Sequence, residues 1–284
     1  MRPQDFRCRH RLTVRWSEVD AQKIVFNAHY LTYADVAMTA YWRQMALPVG
    51  PSWASLGGQL VVKKSTLTYV APATMGDVLE VGIRCVAQAP AALHMEAAIF
   101  RGAQLLNTVA LVYEFVDAAL QPQALPQALR DALTAFEAGE SMVELRSGSW
   151  NDLGRLAERL RMEVFVKEQG VPREIEIDAF DTMCRHVVAV NRLGHAVATG
   201  RLVSEGPGVA RIGRMAVARE LRGSRVGRQV LDTLIAAARA RGDHEAVLHA
   251  QVQAQNFYAR AGFVPEGEVY DEAGIEHITM RLKL

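Results

Sequence analysis

The chain has 284 residues, enough for about two domains at roughly 150 residues each. Its 32 Lys and Arg against 31 Asp and Glu leave a net charge of +1, which removes the electrostatic case for a nucleic-acid or anionic-membrane partner. No run reaches the ~18 apolar residues of a membrane span, the charged start MRPQDFRCRHRLTVRW has no signal-peptide core, and Cys8, Cys85 and Cys184 form no CxxC pair, so a reducing, cytoplasmic setting without disulfides or structural zinc is expected.

Polar and apolar residues alternate from Arg9 to Trp16, the pattern of a half-buried strand. From His29 the spacing predicts a long helix stopped before Pro48, with Tyr30, Ala34, Ala37 and Tyr41 on one face. Alternating stretches follow at Leu60–Val70, Val78–Ala87, Leu93–Phe100 and Leu105–Val116. Strand, helix, then a meander of strands makes an α+β layer, an antiparallel sheet around one long helix. Prolines at 122 and 126 open a loop, a short helix runs from about Pro126 to Glu137, and a linker at 138–142 separates domains 1–137 and 143–284.

Asp20 lies on the loop between the first strand and the helix, with Asn27 seven residues on, near the helix start. Helix-start amides are unpaired donors that polarise a carbonyl oxygen, and a nearby carboxylate can attack it or activate water. An Asp before a helix is also a common cap or solvated loop residue. Glu18 is expected at the surface or behind Asp20. The segment RWSEVDAQKIVFNAHYLTYADVA resembles the signature of hotdog-fold acyl-CoA thioesterases of the 4-hydroxybenzoyl-CoA thioesterase type, on Asp20, Val25, Phe26, Asn27 and Tyr30. The resemblance implies Asp20 as catalytic carboxylate, Asn27 and Tyr30 as substrate-binding residues, and a homodimer or homotetramer with sites between subunits. Gln22 and Lys23 stand where the family commonly has Gly, and Asn27 where many members have His.

In the second half, Met142–Arg146 reads as a strand and Asp152–Val166 as an amphipathic helix with Leu153, Leu156, Leu160 and Val164 on one side. Strands follow at His186–Val190 and His195–Val203 around a Gly194 turn, then at Val209–Val217. A loop with Gly223 and Gly227 leads into a helix that buries Val230, Leu231, Leu234, Ile235 and Ala238. Glycines beside a helix start suit a diphosphate, because backbone donors and helix dipole both favour negative charge, and Arg222, Arg225 and Arg228 add positive charge. Ala246–Ala250 reads as a buried strand, Asn256-Phe257-Tyr258 as a short helix ending at Gly262, and His277–Leu282 as the last strand. No HxxxH or HExxH occurs, so no catalytic metal is expected, and His249 is read as a packed strand residue.

The stretches VFVKEQGVP, ATGRL, RIGRMAV, RGSRVG, LHAQ, NFYARAGF and GIEHITM resemble the GNAT superfamily of acyl-CoA N-acyltransferases, within it the ElaA-type branch. That implies a mixed, mainly antiparallel sheet flanked by helices. It implies that Arg222, Gly223, Ser224, Arg225, Val226, Gly227 and Arg228 hold the pyrophosphate of coenzyme A. Met215 and Val217 would pair with the pantetheine arm, with Asn256 beside it. Tyr258 would be the acid to the thiolate, for which an ordinary tyrosine pKa near 10 is suitable. Some members use a Glu as base where this chain has Arg211; Glu174, Glu176 and Asp181 are the alternatives, each also readable as a solvated loop carboxylate. The combined expectation is a bifunctional enzyme using acetyl-CoA or another acyl-CoA and an amine. In the alternative, the hotdog half is a non-catalytic dimerisation or acyl-binding module.

Overall fold

Alternating residues form β1 (Cys8–Thr13) in the computed structural model, which describes all residues 1–284. The strand ends earlier than its pattern suggests, because Trp16–Glu18 closes a short 3₁₀ turn. Next come α1 (His29–Gln44), α2 (Val49–Leu56), β2 (Gln59–Tyr69), β3 (Val78–Gln88), β4 (Ala92–Arg101), β5 (Gln104–Val116) and α3 (Gln127–Glu137). The five strands form one antiparallel sheet in the order β1-β3-β4-β5-β2. α1 lies against it through Tyr30, Tyr33, Ala34, Ala37, Met38, Tyr41 and Trp42, all buried. Ala34 and Ala37 are 0% exposed, so the helix backbone comes close to the strands, while each buried aromatic side chain contributes about 1.5–3 kcal/mol.

The short α2 is an addition to the sequence reading. Pro48 caps it in an extended conformation, and Gly57 ends it at φ 75°, a left-handed stop that glycine tolerates. α3 belongs to this first unit, Met1–Met142. Its Phe136 ring stacks edge-on against Tyr41 at 4.8 Å. Glu137 accepts hydrogen bonds from the Tyr41 hydroxyl (2.5 Å) and the Cys85 N–H (2.8 Å).

The second unit, Val143–Leu284, contains β6 (Val143–Gly148), α4 (Trp150–Arg161), α5 (Arg173–Glu176), β7 (Arg185–Asn191), β8 (Ala196–Gly206), β9 (Val209–Val217), α6 (Val226–Arg241), β10 (Glu245–Gln251), α7 (Gln255–Ala259), β11 (Val264–Glu272) and β12 (Ile275–Lys283). Its seven strands run in the order β11-β12-β10-β9-β8-β7-β6, and only β9 and β10 are parallel. Ser149 and Asp152 start α4 with a reciprocal capping box. The helix was expected through Val166, but regular α geometry ends at Arg161 and a π-helical turn covers Met162–Glu168. β11 was not anticipated, since its residues are mostly exposed and carry no apolar alternation. No helix is long and apolar enough to cross a membrane.

Two features of this sheet create space. β9 and β10 pair only from Glu245 opposite Val209 to Val247 opposite Arg211; beyond that the strands diverge. On its other edge β9 loses register with β8 between Thr199 and Arg201, where Arg214 takes a φ of 51°. That is a β-bulge, which re-aims the residues after it.

Candidate active sites

In the first unit a small hairpin presents Asp20. Val19 bridges to Val25 and Ile24 to Thr74. Inside the turn the Asp20 N–H donates to the Ile24 carbonyl (2.9 Å) and the Lys23 N–H to the Asp20 carbonyl (2.9 Å). One carboxylate oxygen, Oδ1, accepts the Gln22 N–H at 2.8 Å, and Oδ2 has no partner in the chain. Asp20 is half-buried. Asn27 is exposed at the entry to α1; its carbonyl accepts the Tyr69 hydroxyl at 3.2 Å, and its side-chain amide has no bond within the chain. Tyr30 is 3% exposed, and its hydroxyl oxygen accepts the Ala73 N–H at 3.0 Å. Its side chain therefore holds the wall behind the loop.

Of the two places expected for Glu18, the structure shows the one behind Asp20. It is 2% exposed, and Oε2 accepts the Arg15 N–H (2.7 Å) and the Tyr33 hydroxyl (2.8 Å). Burial opposes its charge, yet these donors and the Arg15 guanidinium hold the carboxyl below the usual range. The Glu18 carbonyl also accepts the Phe26 N–H at 2.9 Å, so Glu18 buttresses the Asp20 hairpin from behind.

In the second unit, the turn at residues 222–225 leads into α6. Gly223 has a φ of 82° and Arg225, the N-cap, a φ of 71°. The first helical bond runs from the Gln229 N–H to the Arg225 carbonyl (3.2 Å), so the amides of Val226, Gly227 and Arg228 have no acceptor behind them. A Cβ at Gly227 would sit 2.8 Å from Val217 Cγ2; glycine is what lets the helix start approach β9. The amides of Gly227 and Arg228 border a groove of about 850 Å³, lined also by Met215, Val217, Phe257 and Tyr258. Arg222, Gly223, Arg225, Gly227 and Arg228 line it as well. Asn256 is exposed on α7 and does not line it, nor do Ser224 and Val226; Phe257 stands where Asn256 was expected. Arg222 donates twice to Glu168, at 2.6 and 2.7 Å. Arg228 binds Asp232 at 2.8 Å and the Arg260 carbonyl at 2.8 Å.

Beyond Tyr258 lies a second cavity of about 360 Å³. Gln169, Met215, Gln251, Ala254 and Tyr258 border both spaces. Tyr258 is 9% exposed, and its hydroxyl makes no hydrogen bond within the chain. An unshifted phenol was expected; burial instead pushes its pKa up, so the proton is held more firmly. His249 is also corrected. It is exposed on β10 and hydrogen-bonded to the Tyr270 hydroxyl at 2.5 Å, where a packed residue was expected.

Glu176 and Asp181 are not solvated loop carboxylates. They are 2% and 1% exposed and belong to a buried ionic network. Arg161 donates to Glu176 at 2.5 Å and to both oxygens of Asp181 at 2.7 and 3.0 Å. Arg201 bridges Asp181 at 2.8 Å and Asp178 at 2.6 Å. Asp181, Cys184 and His186 place ligand-type atoms within 4.8 Å of one another. A cation there would compete with two guanidinium groups on Asp181, and burial holds the Cys184 thiol up at about 11. The trio fits an ion-pair site better than a metal centre. Glu174 is exposed and borders neither cavity.

A family profile described as an acetyltransferase (GNAT) domain matches residues 156–284, and one described as the thioesterase-like superfamily matches residues 14–133. Protein ElaA of Escherichia coli (strain K12) is 37% identical over 126 residues, 43% of this chain and 82% of the relative. The uncharacterized N-acetyltransferase YjcF of Bacillus subtilis (strain 168) is 37% identical over 123 residues, 43% of this chain and 86% of the relative. Among solved structures, a thioesterase from Thermus thermophilus complexed with coenzyme A and Zn is 28% identical with a TM-score of 0.42, covering 47% of this chain and 96% of that one. The chain therefore belongs to the GNAT acetyltransferases through its second unit, while its first unit has a hotdog fold and matches the thioesterase-like profile.

Proposed function

We propose that the chain is a bifunctional coenzyme A enzyme: the second unit transfers an acetyl group from acetyl-CoA to an amine, and the first hydrolyses an acyl-CoA thioester. The observation that carries the transferase reading is the joint position of the α6 amides and Tyr258. The unpaired amides of Gly227 and Arg228 face the groove that Tyr258 closes from the other side. Pyrophosphate oxygens accept from those amides and gain from the helix dipole. The pantetheine arm runs along Met215 and Val217, where β9 has left β10. The amine enters from the inner cavity and its nitrogen attacks the thioester carbonyl carbon. The C–S bond breaks, and the leaving thiolate takes the Tyr258 hydroxyl proton. The burial that raises the Tyr258 phenol keeps it protonated in the resting site, and it raises the basicity of a thiolate formed beside it in the same way.

For the first unit, Asp20 acts as nucleophile or general base through Oδ2, with Oδ1 fixed by the Gln22 N–H. Asn27 polarises the thioester carbonyl, and the site is completed by a second copy of the chain. The exposed edge strand β2, with Val62 and Tyr69 more than half exposed, supports pairing there. Three free cysteines fit a reducing, cytoplasmic setting. A second reading, an acyl-binding module without turnover, is favoured by Asn27 standing exposed while the Tyr30 hydroxyl is already engaged.

Two substitutions separate the activities. Tyr258→Phe is expected to lower amine-dependent thiol release from acetyl-CoA about 100-fold and to leave amine-independent release from longer acyl-CoAs intact. Asp20→Ala is expected to do the reverse. Transfer undiminished in Tyr258→Phe would remove the assigned acid; acyl-CoA hydrolysis unchanged in Asp20→Ala would leave the binding-module reading.

A further inference from the structure

The inner cavity supplies what the transferase reading lacks, a group that takes the proton from the attacking amine. Its walls carry two carboxylates, Asp178 and Glu272. Asp178 is spent: Arg201 and Arg214 donate to it at 2.6 and 3.0 Å. Burial opposes its charge, but these guanidiniums hold its carboxyl below the usual range. Glu272 is exposed to solvent on the outer strand β11. The arginines of the cavity are paired as well: Arg201 and Arg214 with the buried acids, and Arg211 with Glu205 at 3.0 Å while it lies over the Phe180 ring.

Two histidines remain, and their hydrogen bonds differ. His249 Nδ1 faces two hydroxyls, Tyr270 at 2.5 Å and Thr279 at 3.3 Å. Those hydroxyls occupy Nδ1 whichever way the bonds run. His277 Nδ1 lies 2.8 Å from the Ile275 carbonyl oxygen. A carbonyl only accepts, so Nδ1 carries the proton and Nε2 keeps its lone pair. Tyr270 stacks on the His277 ring at 6.2 Å and 25°, which fixes the ring plane. Across the sheet His277 pairs with Gln251, one of the residues common to both cavities.

We propose that this cavity is the acceptor site for a primary amine on an apolar body and that His277 Nε2 is the general base that takes its proton. Phe165, Val171, Ile175 and Phe180 supply the apolar walls. The balance is complete. The amine nitrogen forms the new C–N bond, its proton goes to His277 Nε2, the C–S bond breaks, and the thiolate takes the Tyr258 proton. After product leaves, His277 gives its proton to water and the Tyr258 phenolate takes one back from water, so both groups return to their starting state. The role rests on the transferase reading above.

The test uses the full chain with acetyl-CoA and a panel of primary amines: 2-phenylethylamine, ethanolamine, spermidine, a lysine peptide and aniline. Aniline is already neutral over the pH range, so the acid limb of its kcat/KM profile reports the enzyme's group. His277→Asn keeps a donor for the Ile275 carbonyl and has no base. The expected result is a fall in kcat/KM of about 100-fold, loss of the acid limb, a deficit for alkylamines that shrinks as pH rises, and acetyl-CoA affinity within twofold of wild type. His249→Gln keeps the limb. Retention of the limb in His277→Asn, its loss in His249→Gln, or transfer to ethanolamine in preference to the aromatic amines would overturn the proposal. A wild-type chain that binds acetyl-CoA and acetylates none of the panel would reject the transferase reading itself, and the base with it. Should His277→Asn melt early, His277→Gln with the same readouts decides.

Discussion

Lys23 and Arg225 share a backbone conformation that a side chain resists. Their φ values are 64° and 71°, a left-handed region that costs a non-glycine residue roughly 1–2 kcal/mol. One lies in the Asp20 turn, where the resembled family commonly has glycine, and one at the start of α6. Glycine there removes the strain but adds freedom to the unfolded chain, so Lys23→Gly and Arg225→Gly are each expected to raise stability by up to about 1 kcal/mol, read as an upward shift of the urea midpoint. A fall in the midpoint for both would mean that their side chains contribute more than the backbone strain. Residue identity made the positions visible in the sequence; the dihedral cost did not show there. The same limit explains Tyr258, Glu18 and His249. Burial and partners, set by segments far apart in the chain, decide whether a phenol is shifted, a Glu is hidden or a His is exposed.

At the scale of elements, the segment from residue 169 to 182, loop apart from the single turns at Arg173–Glu176 and Ala179–Thr182, lines the inner cavity, and a buried network of charges holds it. Arg161 on α4 is 1% exposed and binds Glu176 and Asp181; Arg201 on β8 binds Asp181 and Asp178. Removing one partner leaves buried charges without compensation, so Arg161→Met is expected to cost about 3–5 kcal/mol, measured as a lower urea midpoint for the second unit. Loss of under 1 kcal/mol would show that the network is solvated. The pH dependence has a definite sign. Burial pushes the His186 imidazole down, so the unfolded chain takes up its proton first, and stability falls as pH drops below about 6.5. Asp178 and Asp181, held low against burial by the arginines, contribute above about pH 4 and lose that contribution below it. Glu176 runs the other way, because burial raises it. His186→Gln is expected to flatten the melting-temperature slope between pH 7 and 5; an unchanged slope would assign it elsewhere. None of this network was legible beforehand, since loop carboxylates read as solvated until the arginines of α4 and β8 are folded against them. The strands and long helices were legible, because period and length carry them. The π turn at 162–168 and the mostly exposed β11 were not, because neither changes the apolar pattern.

For the whole molecule, two units of different fold lie in one chain, and the central claim is that each grips a coenzyme A thioester by its own means. One offers a carboxylate on a hairpin, the other a helix-start cradle closed by a buried phenol. The turn into α6 was readable because its glycines leave a trace in the sequence, whereas the side chains that face the groove were not: the fold turns Phe257 and not Asn256 toward it. Titration calorimetry of the intact chain with coenzyme A tests the claim most directly. Two classes of site are expected, of which Gly227→Val, whose side chain would press into Val217, removes one and leaves the other. A single class, or the loss of all heat in that one variant, would contradict it.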